Sequence, residues 1–161
     1  MKFPVITAVN AISPGIIMVT FDSKKSFRVV LNSDIAEYAV LAPLADWELF
    51  KIVRPDEWGH AIRWSDAIDL SADDLWIEAH VQSGQAMSFT VFDAWRKRNN
   101  LSLADIARIL GISRRTATNY ANGLHRIPKM VELACLGWES IQRKGKPRSM
   151  QKSGVKAHVQ L

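Results

Sequence analysis

The hydrophobic positions of this chain change their period part-way along. In the first thirty residues they follow the spacing of strands. "VITAVNAI", "IIMVTF" and "SFRVVL" are short runs rich in β-branched residues. They are separated by "SPG" and "DSKK", both turn signals. This predicts a three-stranded antiparallel meander. "NSDIAEYAVLAPLADWELFKIV" then shifts period. Asn32 or Ser33 is expected to cap a short helix, and Pro43 to open a second that runs to Phe50. "KIVRP" and "HAIRWS" read as two further strands around "DEWG". "IDLSADDLWIEAH" predicts a short strand and then a helix, with Ser71 and Asp74 at capping-box spacing. "VQSGQAMS" is polar and contains glycine, the composition of a linker near residues 81–88.

Beyond that point the period is helical. "SFTVFDAWRKRNN" sets Phe92, Trp95 and Val91 on one face. Arg96, Lys97 and Arg98 lie towards its C-terminal end, where the helix dipole favours cations. In "LSLADIARILGISRRTATNYANG", Ser102 is an N-cap with Asp105 in the first turn. Leu103, Ile106, Ala107 and Leu110 repeat at helical spacing. Gly111 follows, where a left-handed residue is easiest for glycine. Ile112 turns back to the core, Ser113 caps the next helix, Ala117 and Tyr120 carry its apolar spacing, and Gly123 ends it. Two short helices joined by a three-residue turn with a glycine have the geometry of a helix-turn-helix. Downstream, "LHRIPKMVELACLGWESI" predicts one more helix from Pro128, with Met130, Leu133, Ala134 and Trp138 as its packing stripe.

Charge divides the chain the same way. Residues 1–80 hold seven Lys and Arg against twelve Asp and Glu, a net of −5. Residues 81–161 hold fourteen against four, a net of +10, and the two agree with the whole-chain value of +5. An acidic half joined to a strongly basic one predicts two domains, of which the second meets a polyanion. With 48% apolar and 23% charged residues the composition is globular. No apolar run approaches the roughly 18 residues of a membrane helix. The N-terminus lacks the apolar core of a signal peptide. Cys135 stands alone and cannot form an intramolecular disulfide. A cytoplasmic location is expected. The proposed boundaries are an α+β domain over 1–82, a helix-turn-helix domain over 87–141, and a flexible basic tail over 142–161, acid-free from Arg143 to Lys156.

Two resemblances follow from these residues. "ITAVNAISPGIIMVTFDSKKSFRVVL" followed by "LADWELFKIVRPDEWGHAIRWSDAIDLSADDLW" resembles the bacterial domain-of-unknown-function family 2442 over roughly residues 3–80. That likeness implies a small α+β fold and no chemistry. Genes of that family often neighbour small partner proteins in toxin–antitoxin-like arrangements, so an antitoxin-like adaptor that binds a partner protein through its acidic domain is one alternative. In the basic half, counting from Leu103, apolar residues fall at places 4, 8, 10, 15 and 18, with Ala107 at place 5 and Gly111 at place 9. This resembles the lambda-repressor-like (Xre/Cro) domains over about residues 87–141. It implies a bundle of about five helices, here with a shortened last one, binding double-stranded DNA as a homodimer.

With Ala117 and Tyr120 inward, the second helix leaves Arg114, Arg115, Thr118 and Asn119 outward for base edges. Arg pairs with guanine O6 and N7, and Asn with adenine N6 and N7. Ser113, Asn122 and Arg126 are the expected backbone contacts. No acid lies between Arg114 and Lys129. Asp56, Glu57, His60, Asp66, Asp69, Asp73 and Asp74 crowd one region of the acidic half, but their spacing matches no metal motif. Solvated turns and a helix N-terminus explain them better. Trp47, Trp58, Trp64 and Trp76 are candidates for a ligand pocket or, more simply, core bulk. No nucleotide-binding or hydrolase motif occurs. The expectation is therefore no enzyme, no cofactor and no metal.

Overall fold

The first sheet is built on alternation in its second and third strands, while its first carries two register shifts. β1 (Ile6–Ser13), β2 (Ile16–Phe21) and β3 (Ser26–Val30) pair antiparallel in that order. Val19 of β2 lies between Val9 and Phe27. In β2, Ile17, Val19 and Phe21 are buried while Ile16, Met18 and Thr20 are half-covered, the period of two that gives a strand one core face. The computed structural model describes residues 2–145.

α1 (Asn32–Glu37) follows, but neither Asn32 nor Ser33 caps it through a side chain; its first flanking residue is Leu31. The expected second helix is two elements. Pro43 lies inside a 3-10 helix over Ala39–Ala45. α2 (Trp47–Phe50) starts instead at Asp46, whose carboxylate accepts from the Glu48 backbone N–H at 3.0 Å. A capping oxygen satisfies a free helix donor, and Pro43 offers no such group. β4 (Arg54–Pro55), β5 (Ala61–Arg63) and β6 (Asp69–Ser71) form a second antiparallel sheet in that order. α3 (Ala72–Gln82) begins where Ser71 Oγ accepts from the Asp74 N–H at 3.1 Å. One apolar cluster, from Ile6 to Ala79, fills the space between these elements. Trp64 is at its centre, donating its indole N–H to the Phe50 carbonyl at 2.9 Å.

The expected linker over 81–88 is largely ordered structure. α3 continues to Gln82, and Ala86 and Met87, both buried, form β7 (Ala86–Met87). That strand pairs antiparallel with β8 (Ile127–Pro128). The apolar Ala86 and Met87 are worth more buried than as part of a solvated hinge.

α4 (Phe89–Arg98), α5 (Leu103–Leu110), α6 (Arg114–Ala121) and α7 (Lys129–Gly145) enclose a second apolar cluster that begins at Met87. Phe92 and Trp95 of α4 are buried in it, whereas Val91 is half exposed and does not share their face. The stripe expected on α7 is also different. Met130 and Leu133 are 73% and 60% exposed, and Ala134 is exposed. Val131, Cys135 and Glu139 face inward instead, with Trp138 packed edge-on to Trp95 at 5.8 Å. Burial pushes the Cys135 thiol up to about 12, so it stays protonated. α7 runs four residues past the expected end at 141 and is not shortened. The rest of the expected basic tail lies outside the described residues.

An ion pair fastens the two ends of this bundle. Arg98 donates from Nε to Glu139 Oε1 at 2.7 Å and from Nη2 to Oε2 at 3.0 Å, and Asn99 Nδ2 donates to Oε1 at 2.7 Å. The fold is α+β: two small antiparallel sheets with short helices, then a helical bundle.

Candidate nucleic-acid interface

The interface is set by two capped helices and the glycine between them. At the start of α5, Ser102 Oγ accepts from the Asp105 N–H at 3.1 Å, and Asp105 Oδ2 accepts from the Ser102 N–H at 2.9 Å. This reciprocal box answers two otherwise free donors. The hydrogen bonds from Ser102, then that from Arg108, hold the Asp105 carboxyl down at about 2. α5 ends at Gly111, which has φ +66°, a conformation that costs an L side chain. Ser113 then caps α6, its Oγ accepting from the Thr116 N–H at 3.0 Å. Ala117 and Tyr120 are buried beneath α6, with Tyr120 edge-on to Phe92 at 5.8 Å. Those two anchors fix the rotation of α6 about its own axis and hence which residues face out.

Arg114 and Arg115 in the first turn are exposed, as are Ser113, Asn122 and Arg126. Thr118 and Asn119 are half-covered and already engaged. Thr118 Oγ1 donates to the Arg114 carbonyl at 2.9 Å, leaving its methyl and its oxygen lone pairs outward. Asn119 Nδ2 lies 3.5 Å from His125 Nδ1. His125 had no signal in the sequence, because the loop that returns it to α6 follows from no motif. The outward edge of α6 therefore carries two guanidinium groups, unpaired among the described residues, at its N-terminal end and a short polar patch behind them.

A family model described as helix-turn-helix matches residues 93–134. The stretch runs from α4 to α7 and includes all seven candidate contact residues. Among solved structures, the crystal structure of "Putative DNA Binding Protein NE0471" from Nitrosomonas europaea ATCC 19718 is similar over 92% of this chain and 98% of that one, with 35% identity and a TM-score of 0.59. The chain belongs to the same family as that protein. Its likeness spans both the sheet-containing half and the helix-turn-helix, so the joining of these two units is shared. No match is found among curated proteins.

The acidic half offers no comparable site around its crowded carboxylates. Asp56 Oδ1 accepts from the backbone N–H groups of Trp58 and His60, at 3.2 and 2.8 Å, and so shapes a turn. Asp74 belongs to the cap of α3. Among the described residues no three His, Cys, Asp or Glu side chains converge as metal ligands. The tryptophans do not line one pocket. Trp64 is buried, Trp58 is 70% exposed, and Trp76 stacks edge-on to Phe21 at 4.8 Å. Among the described residues no helix is long and apolar enough to cross a membrane.

Proposed function

We propose that this protein is a sequence-specific double-stranded DNA-binding protein that lays α6 in the major groove, and that it regulates transcription in the cytoplasm. One observation carries the proposal: α6 presents Arg114 and Arg115, exposed and unpaired among the described residues, in the first turn of a capped, core-anchored helix. Nothing acidic follows in sequence before Glu132. Arg114 and Arg115 suit guanine O6 and N7, and Asn119 suits adenine, exchanging its contact with His125 for the base edge. Thr118 offers its methyl to thymine, since its hydroxyl proton is committed to the helix backbone. Ser113, Asn122 and Arg126 take phosphates. Similarity to the "Putative DNA Binding Protein NE0471" of Nitrosomonas europaea supports the same reading. The finer likeness to lambda-repressor-like domains, and that of residues 3–80 to domain-of-unknown-function family 2442, are part of the proposal. So is the division into domains at 1–82 and 87–141, which the two separate apolar clusters support. No reaction is assigned.

A two-fold DNA site with half-sites about 34 Å apart calls for two copies of the reading helix. α7 offers the surface for a second copy. Met130, Leu133, Ala134, Gly137 and Ile141 recur at helical spacing along one exposed face without a charge, and the small Ala134 and Gly137 at its middle let two helices approach closely.

The test is fluorescence anisotropy with DNA from the protein's own promoter and with random DNA, across several salt concentrations. Preference for the promoter by about 10³ or more is the expected outcome. Equal affinity for both DNAs with a steep salt slope would reduce the protein to a non-specific phosphate binder.

A further inference from the structure

A groove of about 430 Å³ opens where α1, the 3-10 helix and α3 meet the start of α4 and the end of α6. Its size lies within the range of small-molecule sites, and it sits between the two apolar clusters, a common place for such sites. Leu31, Leu41 and Leu75, all buried, form its floor. Tyr38 and Phe89, each about half exposed, stand at its walls.

The chemistry of the groove is two-sided. Asp74, Ile77, Glu78 and Val81 follow the i, i+3, i+4, i+7 spacing that aligns them on one face of α3, and all four line the groove. Carboxylates thus alternate with aliphatic side chains along one wall. Asp34 of α1 joins them, and burial, then the charges of Glu78 and Glu37, push its carboxyl above the ordinary range. Among the described residues neither Asp34 nor Glu78 has a Lys or Arg partner. Among the described residues Glu78 accepts a hydrogen bond only from Gln82 Nε2, at 2.8 Å. Two mutually repelling carboxylates beside an apolar floor and two aromatic rings suit a positive charge attached to a hydrophobic body.

We propose that this groove binds a small amphipathic cation, a protonated amine on an aromatic or aliphatic body, with the ammonium between Asp34 and Glu78 and the body against Phe89 and the leucine floor. The site does not depend on the DNA-binding proposal. It does reach the end of the reading helix: the ring of Phe89 covers Gly123, two residues past the end of α6, so closely that a Cβ there would lie 2.9 Å from it. A ligand in the groove contacts the acidic half and that ring together.

Tryptamine is the probe, with tryptophol as its uncharged counterpart and indole-3-propionate as its anionic one, each titrated calorimetrically into the full chain. The expected result is one tryptamine per chain, bound at least about tenfold more tightly than tryptophol, with no binding of indole-3-propionate. Asp34→Asn and Glu78→Gln each weaken tryptamine about threefold to tenfold. Both substitutions remove one charge from a repelling set, so thermal melting of the variants is expected at or above that of the native chain. Tryptophol binding as well as tryptamine overturns the proposal, as does tryptamine binding that survives both substitutions. So does the absence of tryptamine binding, including the case in which a Lys-rich peptide binds instead and marks the groove as a protein-docking surface. DNA anisotropy without tryptamine reports the DNA-binding proposal separately, so the two can fail independently.

Discussion

At the scale of single residues, the most consequential contact is one that spacing could not reveal. Glu139 is nearly covered, and its partners Arg98 and Asn99 lie about forty residues earlier in the chain. The hydrogen bonds from Arg98, then from Asn99, hold its carboxyl down at about 2. A carboxyl whose folded value is depressed stabilises the fold fully above its unfolded range, near 4.3, and loses that contribution as the pH falls towards the folded value. Urea unfolding of the native chain is therefore expected to weaken between about pH 4.5 and 2, and Glu139→Gln to flatten that part of the profile. At neutral pH the same substitution is expected to cost about 2 kcal/mol, since it strips a charged partner from Arg98. Two glycines give a second comparison at this scale. Gly111→Ala meets no neighbour but keeps φ +66°, so about 1 kcal/mol of backbone strain is expected. Gly123→Ala, at φ +70°, must also displace Phe89 and is expected to lower the melting temperature further. Equal melting temperatures for the two would show that the Phe89 contact is loose.

At the scale of elements, legibility followed how local the deciding interactions are. β2 could be read because its alternation is written in six consecutive residues. The caps at Ser71, Ser102 and Ser113 could be read because each bond spans three residues. Pairing between β7 and β8 joins residues about forty apart through two-residue strands, too short to carry a period. α7 failed for a different reason. From Met130 to Trp138 it holds a single charge, Glu132, so Met130 and Leu133 fit a 3.6 period as well as Val131 and Cys135 do, and only packing against the rest of the bundle decides between them. The face left over makes a prediction. Leu133→Glu puts a charge in the middle of the α7 surface offered to a second copy, so sedimentation equilibrium is expected to find the native chain dimeric and the variant monomeric with an unchanged circular dichroism spectrum. A native chain that is monomeric when bound to promoter DNA would remove α7 from the account.

On the scale of the whole molecule, the charge asymmetry in the sequence follows the two apolar clusters, with the groove's carboxylates on the elements of the first and the exposed arginines of α6 on those of the second. Length, composition and the helix-turn-helix spacing were enough to expect that division. The groove was not, because its walls come from four separated segments and its carboxylates look in sequence like ordinary solvated surface. The exposure of Ser113, Arg114, Arg115, Asn122 and Arg126 was legible in the sequence. The engagement of Thr118 and Asn119 was not: the bond from Thr118 to the Arg114 carbonyl and the approach of Asn119 to His125 exist only once the helix and the following loop are folded.

The DNA-binding proposal stands or falls on whether α6 reads DNA through its first-turn arginines. The direct measurement is promoter and random-DNA affinity of Arg114→Ala, Arg115→Ala at moderate salt, beside the native chain, with melting curves for both. Unchanged melting and loss of most of the promoter preference are expected, about 1–3 kcal/mol for each lost base contact. A double variant that melts normally and keeps its full preference for the promoter would contradict it.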